Sequence, residues 1–178
     1  LTPLQQNAVD EWGQRLLLIS RQEMEHLGLV SNILTSIGAM PHFERPAFPN
    51  TGPYYPFPLV LERLNLETIQ RFVCVEKPVD VKTPLCKEPP PPTHMLDVGS
   101  PTTFNSVAQL YALIREAIIE IPIPDTDLFV GPRSAQVGGD ELDLDFGRIG
   151  AVGGVYDVTL FPVYDRATAI QAVDLITE

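Results

Sequence analysis

The N-terminal stretch constrains the fold most strongly, because residues 2–37 carry one continuous helical pattern. Its apolar residues recur at spacings of three and four, which is the pattern of one face of a long helix. The members of this apolar stripe are Trp12, Leu16, Ile19, Leu27, Val30, Leu34 and Ile37. Thr2 can cap the helix and Pro3 suits its first position. Gly38, with Pro41 close behind, can end it, so the sequence predicts a helix from Thr2 or Pro3 to Ile37.

Proline separates this helix from the later ones. The sequence has 18 prolines, and most of them fall between residues 41 and 101. This third is predicted to be rich in loops, with a proline-rich linker at 78–101. Further helices are predicted at about 66–76, at about 105–119, and from Asp165 to beyond Ile176. Short strands are considered at 128–130, where a buried extended piece is the alternative, and at 156–163.

The charge of the chain argues against two classes of partner. The formal net charge is −11, whereas nucleic acids and anionic membrane surfaces bind clustered basic residues. No apolar run approaches the ~20 residues of a membrane-spanning helix. The first residues also lack the features of a signal peptide, so a cytoplasmic location is expected. Cys74 and Cys86 are the two cysteines; one bridge is an option, but reduced thiols are expected in the cytosol.

A chemical signal lies within the first helix. Glu23 and His26 are one helical turn apart, so a carboxylate oxygen and an imidazole nitrogen can hold the same metal ion. At 100° per residue, Glu23 falls in the middle of the apolar stripe and His26 at its edge. Glu25 points nearly the opposite way, where solvation is expected. A carboxylate on a core face needs a partner, which leaves metal binding or a buried Glu–His or Glu–Arg pair as the alternatives.

Two further carboxylates are candidate ligands. Glu76 is in phase with Phe72 and Val73, so it can point inward; capping of nearby backbone or pairing with an arginine is the alternative reading. Glu116 lies off the apolar stripe of its helix, where a solvated face is the alternative. The candidate metal ligands are therefore Glu23, His26, Glu76 and Glu116, and no catalytic residue is assigned.

Residues 23–34 and 37–41 resemble the second bundle helix of a ferritin-like family. That family includes the ferritin-like domain named for iminophenyl-pyruvate dimer synthase, from bisindole pathways of the violacein and rebeccamycin type. The similarity covers nearly the whole chain. Its most specific parts are the Glu-Met-x-His-Leu segment at 23–27 and the Glu-x-Pro end of the short helix at 76–78.

The resemblance implies a mainly α fold, a ferritin-like helical bundle with long proline-rich irregular insertions. It implies a single domain over residues 1–178. Family members usually carry an earlier helix with a glutamate and a later helix with a second Glu-x-x-His, and the chain is expected to lack both. The loop histidines His42 and His94 do not replace the helical one. The chain is then partial, or another chain completes the site, or the site is vestigial.

Two functional hypotheses follow. In the first, the chain is a non-haem metal-binding protein of di-iron type that performs oxidative chemistry on a small molecule in secondary metabolism. Iron is the expected metal and manganese the alternative, and the enzyme would be an oxidoreductase or resemble iminophenyl-pyruvate dimer synthase. In the second, the chain is a non-catalytic structural or interaction module with a vestigial metal site. Either leaves room for a homo-oligomer or for a second chain that completes the bundle.

Overall fold

The computed structural model describes residues 1–44, 47–49, 60–77, 106–138 and 159–177. All regular structure in these ranges is helical, so the predicted mainly α class is confirmed. In chain order the helices are α1 (Pro3–Ser36), α2 (Leu66–Glu76), α3 (Val107–Glu120), α4 (Asp125–Leu128) and α5 (Arg166–Ile176). One 3-10 turn spans Arg133–Ala135. None of the helices in these ranges has the length and apolar character needed to cross a bilayer.

The four longer helices begin where the sequence predicts, because their caps are local signals. Thr2 and Gln5 form a capping box, in which each side chain accepts a hydrogen bond from the other residue's backbone N–H. Asn65 and Ser106 cap α2 and α3 by accepting from the N–H three residues further on. Such caps satisfy backbone donors that have no partner within the helix, which fixes the starting residue.

The considered strands are absent from the described residues. Leu128 is the last residue of the short helix α4, which Asp125 starts directly after Pro124. Residues 159–163 form no strand, and residues 156–158 lie outside the described ranges. The β-branched and aromatic composition that suggested strands indicates burial as readily as strand structure, and Val163 is indeed fully buried.

The chain forms two compact units. The first consists of Leu1–Pro41 and Ile123–Ile176, and so contains α1, α4 and α5. The second is His42–Pro122, with α2 and α3. The predicted linker at 78–101 and most of the proline-rich segment before α2 lie outside the described residues.

The core of the first unit forms where α5 packs on the C-terminal half of α1. Its buried apolar residues come largely from α5 and include two alanines. They are Leu29, Val163, Ala169, Ala172, Val173 and Ile176. The face of α1 that takes part is partly polar, with Asn32 and Ser36 fully buried beside Leu29. Buried polar groups of this kind must be hydrogen-bonded to be tolerated.

Asn32 meets that requirement by joining α1 to two distant segments. Its Nδ2 donates to the backbone oxygens of Val137 at 2.9 Å and Phe161 at 3.0 Å. Its Oδ1 accepts from the N–H of Val137 at 2.7 Å. Gln136 forms a similar pair of hydrogen bonds with the backbone of Val163: its Nε2 donates to the Val163 oxygen, and its Oε1 accepts from the Val163 N–H. Asn32 therefore holds these two irregular segments against α1, and Gln136 joins the two segments to each other, where no helix or sheet supplies backbone partners.

The C-terminal end of α1 is held by a close backbone approach. Gly131 N–H donates to the Ser36 carbonyl at 2.8 Å. A Cβ at Gly131 would lie 1.7 Å from the Thr35 carbonyl oxygen, so no larger residue fits there. Gly38 ends the helix with φ +78°, a conformation that glycine adopts without strain.

The N-terminus of helix α5 is stabilised by a side-chain cap and by an ion pair. Asp165, where the sequence predicts the helix to begin, caps it: its Oδ1 accepts from the backbone N–H of Thr168 at 2.8 Å. The bonds from the Thr168 backbone and then from its hydroxyl hold the pKa of Asp165 below its usual value, with burial opposing them and Arg133 adding to them. The next residue, Arg166, pairs with Asp125 of α4 at 3.1 Å.

In the second unit, α2 packs against α3. Cys74 on α2 is disulfide-bonded, so the expectation of reduced thiols is wrong for this residue. The other cysteine of the sequence, Cys86, lies outside the described residues. Cysteine count and compartment suggested free thiols, but bonding depends on how close the two sulfur atoms lie in the fold.

Candidate metal centre on the first helix

The candidate site lies two thirds of the way along α1. Because α1 is regular there, Glu23 and His26 project from the same side one turn apart. Glu23 Oε1 and His26 Nδ1 are 3.8 Å apart. This exceeds a hydrogen-bond distance, so the two groups do not satisfy each other and both remain available as ligand atoms.

The burial of this region is the reverse of the prediction. The Glu23 side chain is 62% exposed and that of His26 is 26% exposed. Glu25, which was predicted to be solvated, is only 3% exposed. The expectation that Glu23 faces a buried core is therefore wrong for the chain as it folds here, and so is the expected solvation of Glu25.

Glu23 and Glu25 are reversed because burial depends on which face of α1 packs against the rest of the first unit. Helix α5 packs against α1, the buried face of α1 carries Leu29, Asn32 and Ser36, and Glu25 continues that row at the same spacing of three and four. Glu23 does belong to the apolar stripe, but this stripe lies on the opposite side and stays open. Within it, Trp12, Leu16, Ile19 and Leu27 are 50% to 63% exposed.

Glu25 is a functional candidate that the sequence prediction missed. Its Oε2 is buried and has no hydrogen-bond partner among the described residues. An ionised carboxylate in such a place is costly unless a cation or a donor reaches it. The signal was present in the sequence as the row of Glu25, Leu29, Asn32 and Ser36, but three of these four residues are polar, so the row does not read as a buried face.

The other two predicted ligands belong to the second unit. Glu76 is the last residue of α2 and is exposed. The apolar residues in phase with it, Phe72 and Val73, are also exposed, so an inward position for Glu76 is wrong within this unit. Glu116 is exposed on α3, which agrees with the alternative of a solvated face.

No group of three or more His, Cys, Asp or Glu side chains in the described ranges is close enough to hold a metal ion. The loop histidine His42 lies 3.5 Å from Glu44, but both side chains are largely exposed and neither is on a helix. His94 lies outside the described residues. The described part of the chain therefore offers the α1 pair as two ligands toward a larger set.

The pair fits a metal ion with a small adjustment. Two ligand atoms that share one ion at about 2.1 Å are roughly 3.0–3.4 Å apart. The 3.8 Å between Glu23 Oε1 and His26 Nδ1 is wider by roughly half an ångström. Rotation of the exposed Glu23 side chain closes that difference without moving the helix. A nitrogen and an oxygen donor in this arrangement suit iron, manganese or zinc.

A long helix that carries Glu-x-x-His within an all-helical fold is typical of helical bundles that bind metal through carboxylates and histidines. Sequence comparison gives the family. A sequence model of the ferritin-like family matches residues 3–178, so the chain belongs to the ferritin-like family. The predicted family and bundle class are confirmed. A relative is dichlorochromopyrrolate synthase of Lentzea aerocolonigenes, which is 30% identical over 167 residues. The match covers 92% of this chain but 15% of that synthase. No solved structure matches the chain.

Proposed function

We propose that this chain is a ferritin-like metal-binding protein of di-iron type, with Glu23 and His26 as ligands. The observation that carries the proposal is the 3.8 Å separation of Glu23 Oε1 and His26 Nδ1 on one turn of α1. Both side chains can be reached from outside the first unit, so an ion and further ligands can approach. Di-iron carboxylate bundles use this Glu-x-x-His unit on two of their four helices.

We further propose that the chemistry is oxidative and acts on a small molecule of secondary metabolism. Membership of the ferritin-like family and similarity to a protein named as a synthase of dichlorochromopyrrolate support this class of reaction. Bound iron would supply the activation of dioxygen. The residues of the chain would hold the ion, fix its orientation through the rigid helix, and leave one side open for a substrate. The chain matches 15% of the length of that synthase, so we do not assign the synthase's substrate to this chain.

The direct test is metal content after loading with Fe²⁺ or Mn²⁺ under anaerobic conditions. We expect the parent chain to retain the metal, and Glu23→Gln and His26→Gln each to lower its affinity by more than the roughly 10–100-fold that loss of an outer-shell partner costs. The matched control is the double variant His42→Gln/Glu44→Gln, which removes a His–Glu pair of similar spacing from a loop. Equal loss in the control and the α1 variants would show surface binding only and would contradict the proposal.

Glu76 and Glu116 stay predicted ligands on sequence grounds, and the same measurement tests each. If Glu76→Gln or Glu116→Gln lowers the affinity as much as Glu23→Gln, that carboxylate is a ligand. Unchanged affinity removes it from the set. A cytoplasmic location also stays a prediction, although the disulfide at Cys74 favours an oxidising compartment.

The alternative function is a structural or interaction module. It is favoured by the open apolar stripe on α1, because large exposed apolar surfaces mark interaction sites. A parent chain that binds neither metal, yet keeps its helices and its stability when Glu23 is replaced, would support the module and exclude the metal site.

A further inference from the structure

The two units differ in how their described residues are held together. Every buried apolar side chain of the described ranges belongs to the first unit. In the described part of the second unit the buried residues are Thr68 and Ser106, and both are polar. The apolar side chains of α2 are open instead, with Phe72 60% and Ile69 44% exposed. Apolar burial therefore stabilises the described part of the second unit less than it stabilises the first.

A covalent bond is present in the unit that has the weaker packing. Positions 74 and 86, which hold both cysteines of the sequence, fall within the second unit. Cys74 is disulfide-bonded, and Cys86 is the one other cysteine with which it can pair within the chain. Such a bond closes a loop of about 13 residues, which favours the folded state on the order of 100-fold by limiting the unfolded chain. Small domains with an insufficient core are commonly stabilised in this way.

The bond acts on the second half of α2. The first half is held by local interactions, because Asn65 caps the helix and Arg71 pairs with Glu62. In the second half, residues 72–76 of the described range contain no buried side chain, and Cys74 lies at their centre. A helix of 11 residues is shorter than an isolated helix needs to be stable in water. Opening the bond should therefore unwind the end of α2 before its beginning.

The weak packing around α2 also makes the bond reducible. Cys74 is partly exposed, as exchange with a dithiol requires. A fold resists reduction when it keeps the two thiols close after the bond has opened, because closeness favours reclosure. The described part of the second unit has no buried apolar core that would keep them close, so little free energy favours reclosure.

We propose that the disulfide at Cys74 is a redox switch for the second unit. In the oxidised state the bond holds the end of α2 in helical form, and reduction releases that end while the first unit, which has no cysteine, stays folded. The reductant is a dithiol. Its two thiols give up two electrons and two protons and become a disulfide, and the sulfurs of Cys74 and Cys86 take them up and become two thiols.

The redox state of the compartment would then set the state of the second unit. An oxidising compartment keeps the bond closed, and a reducing cytosol opens it. The switch does not depend on metal binding, because Glu23 and His26 belong to the first unit. A result against the switch therefore leaves the proposed metal site untouched, and a chain without bound metal leaves the switch untouched.

Hydrogen exchange of the full chain, followed by mass spectrometry, tests the switch with dithiothreitol as the dithiol. We expect reduction to raise exchange rates at the end of α2 by about tenfold or more and to leave α5 unchanged. Removing dithiothreitol and adding oxidised glutathione should restore the protection of α2. Unchanged exchange in α2, an equal rise in α5, or a loss that reoxidation does not reverse would each overturn the proposal.

The double variant Cys74→Ser/Cys86→Ser removes the bond without a reductant. It should show the exchange pattern of the reduced parent, with no further change in dithiothreitol. The matched control is Val73→Ser, which replaces a neighbouring side chain that is 42% exposed and keeps the bond; it should keep the oxidised pattern. A loss of protection in α5 of the double variant would mean that the bond supports the whole chain, which contradicts a switch confined to the second unit.

A switch must also respond to a cellular reductant, which a purely structural bond resists. In a mixture of reduced and oxidised glutathione set to the cytosolic poise, we expect most Cys74 thiols to become available for alkylation. Mass spectrometry of the alkylated peptides measures the reduced fraction. A bond that stays closed in this mixture would be structural, and the switch would be excluded.

Discussion

Glu23 and Glu25 lie two positions apart on α1 and have opposite environments. The Glu23 side chain is 62% exposed on the open apolar stripe, whereas Glu25 is 3% exposed at the end of the row that packs toward α5. Two identical carboxylates thus face different constraints. Glu23 is open to the outside of the first unit, whereas the Oε2 of Glu25 is buried without a hydrogen-bond partner among the described residues.

Replacing Glu25 by an apolar residue of similar shape should stabilise the fold. We expect Glu25→Met to raise the free energy of unfolding by about 1–2 kcal/mol, because it removes a buried carboxylate oxygen without a partner. Urea denaturation followed by circular dichroism measures the change. Glu23→Met is the control and should stay within about 0.5 kcal/mol. A loss of stability in Glu25→Met would mean that a donor or cation does hold the carboxylate.

Asn32 should be the most costly polar residue of α1 to remove. Asn32→Ala breaks three hydrogen bonds and leaves half-buried backbone groups of Val137 and Phe161 without these partners, so about 3 kcal/mol of stability should be lost. Asn7→Ala, on the exposed first part of the same helix, should change stability by no more than about 0.5 kcal/mol. Equal effects in the two variants would contradict the anchoring role of Asn32.

Two glycine-to-alanine changes should have opposite signs. In Gly131→Ala the new Cβ would meet the Thr35 carbonyl oxygen at 1.7 Å, which forces the backbone apart. We expect a loss of about 3 kcal/mol or more. In Gly13→Ala the Cβ meets nothing within 4 Å, and the better helix former should add about 0.5–1 kcal/mol. Thermal melts of both variants against the parent report the signs.

Asp165 should make part of the stability depend on acid pH. Its pKa is lowered in the fold, chiefly by hydrogen bonds from Thr168. A lowered pKa means that the stabilisation is fully present above the ordinary pKa of an aspartate, about 3.9. It is then lost as the pH falls through the lower pKa of the folded state. Asp165→Asn keeps a cap acceptor without the charge, so its stability should fall less between about pH 5 and pH 2. Parallel pH profiles for parent and variant would contradict this.

The bounds of the helices were predictable because they depend on neighbouring residues. Thr2, Asn65, Ser106 and Asp165 each cap their helix through the backbone a few positions away, and any chain with these residues carries the same signal. The turn at Asp125–Leu128 was missed, since a helix of this length leaves no periodic pattern to read. The disulfide at Cys74 was only the second option in the sequence analysis, because the cysteine count does not show whether two sulfur atoms meet in the fold.

The sequence by itself determined that α1 is one long helix and that Glu23, His26 and the apolar stripe share a side of it. That follows from a period of 3.6 residues per turn, which is a local property. Only the tertiary structure decided which side of α1 is covered. Helix α5, more than a hundred residues further along the chain, packs against α1, and the side of α1 that becomes buried carries Glu25, whereas Glu23 stays exposed. Burial depends on what packs against a face, and the periodicity of that face does not specify its partner.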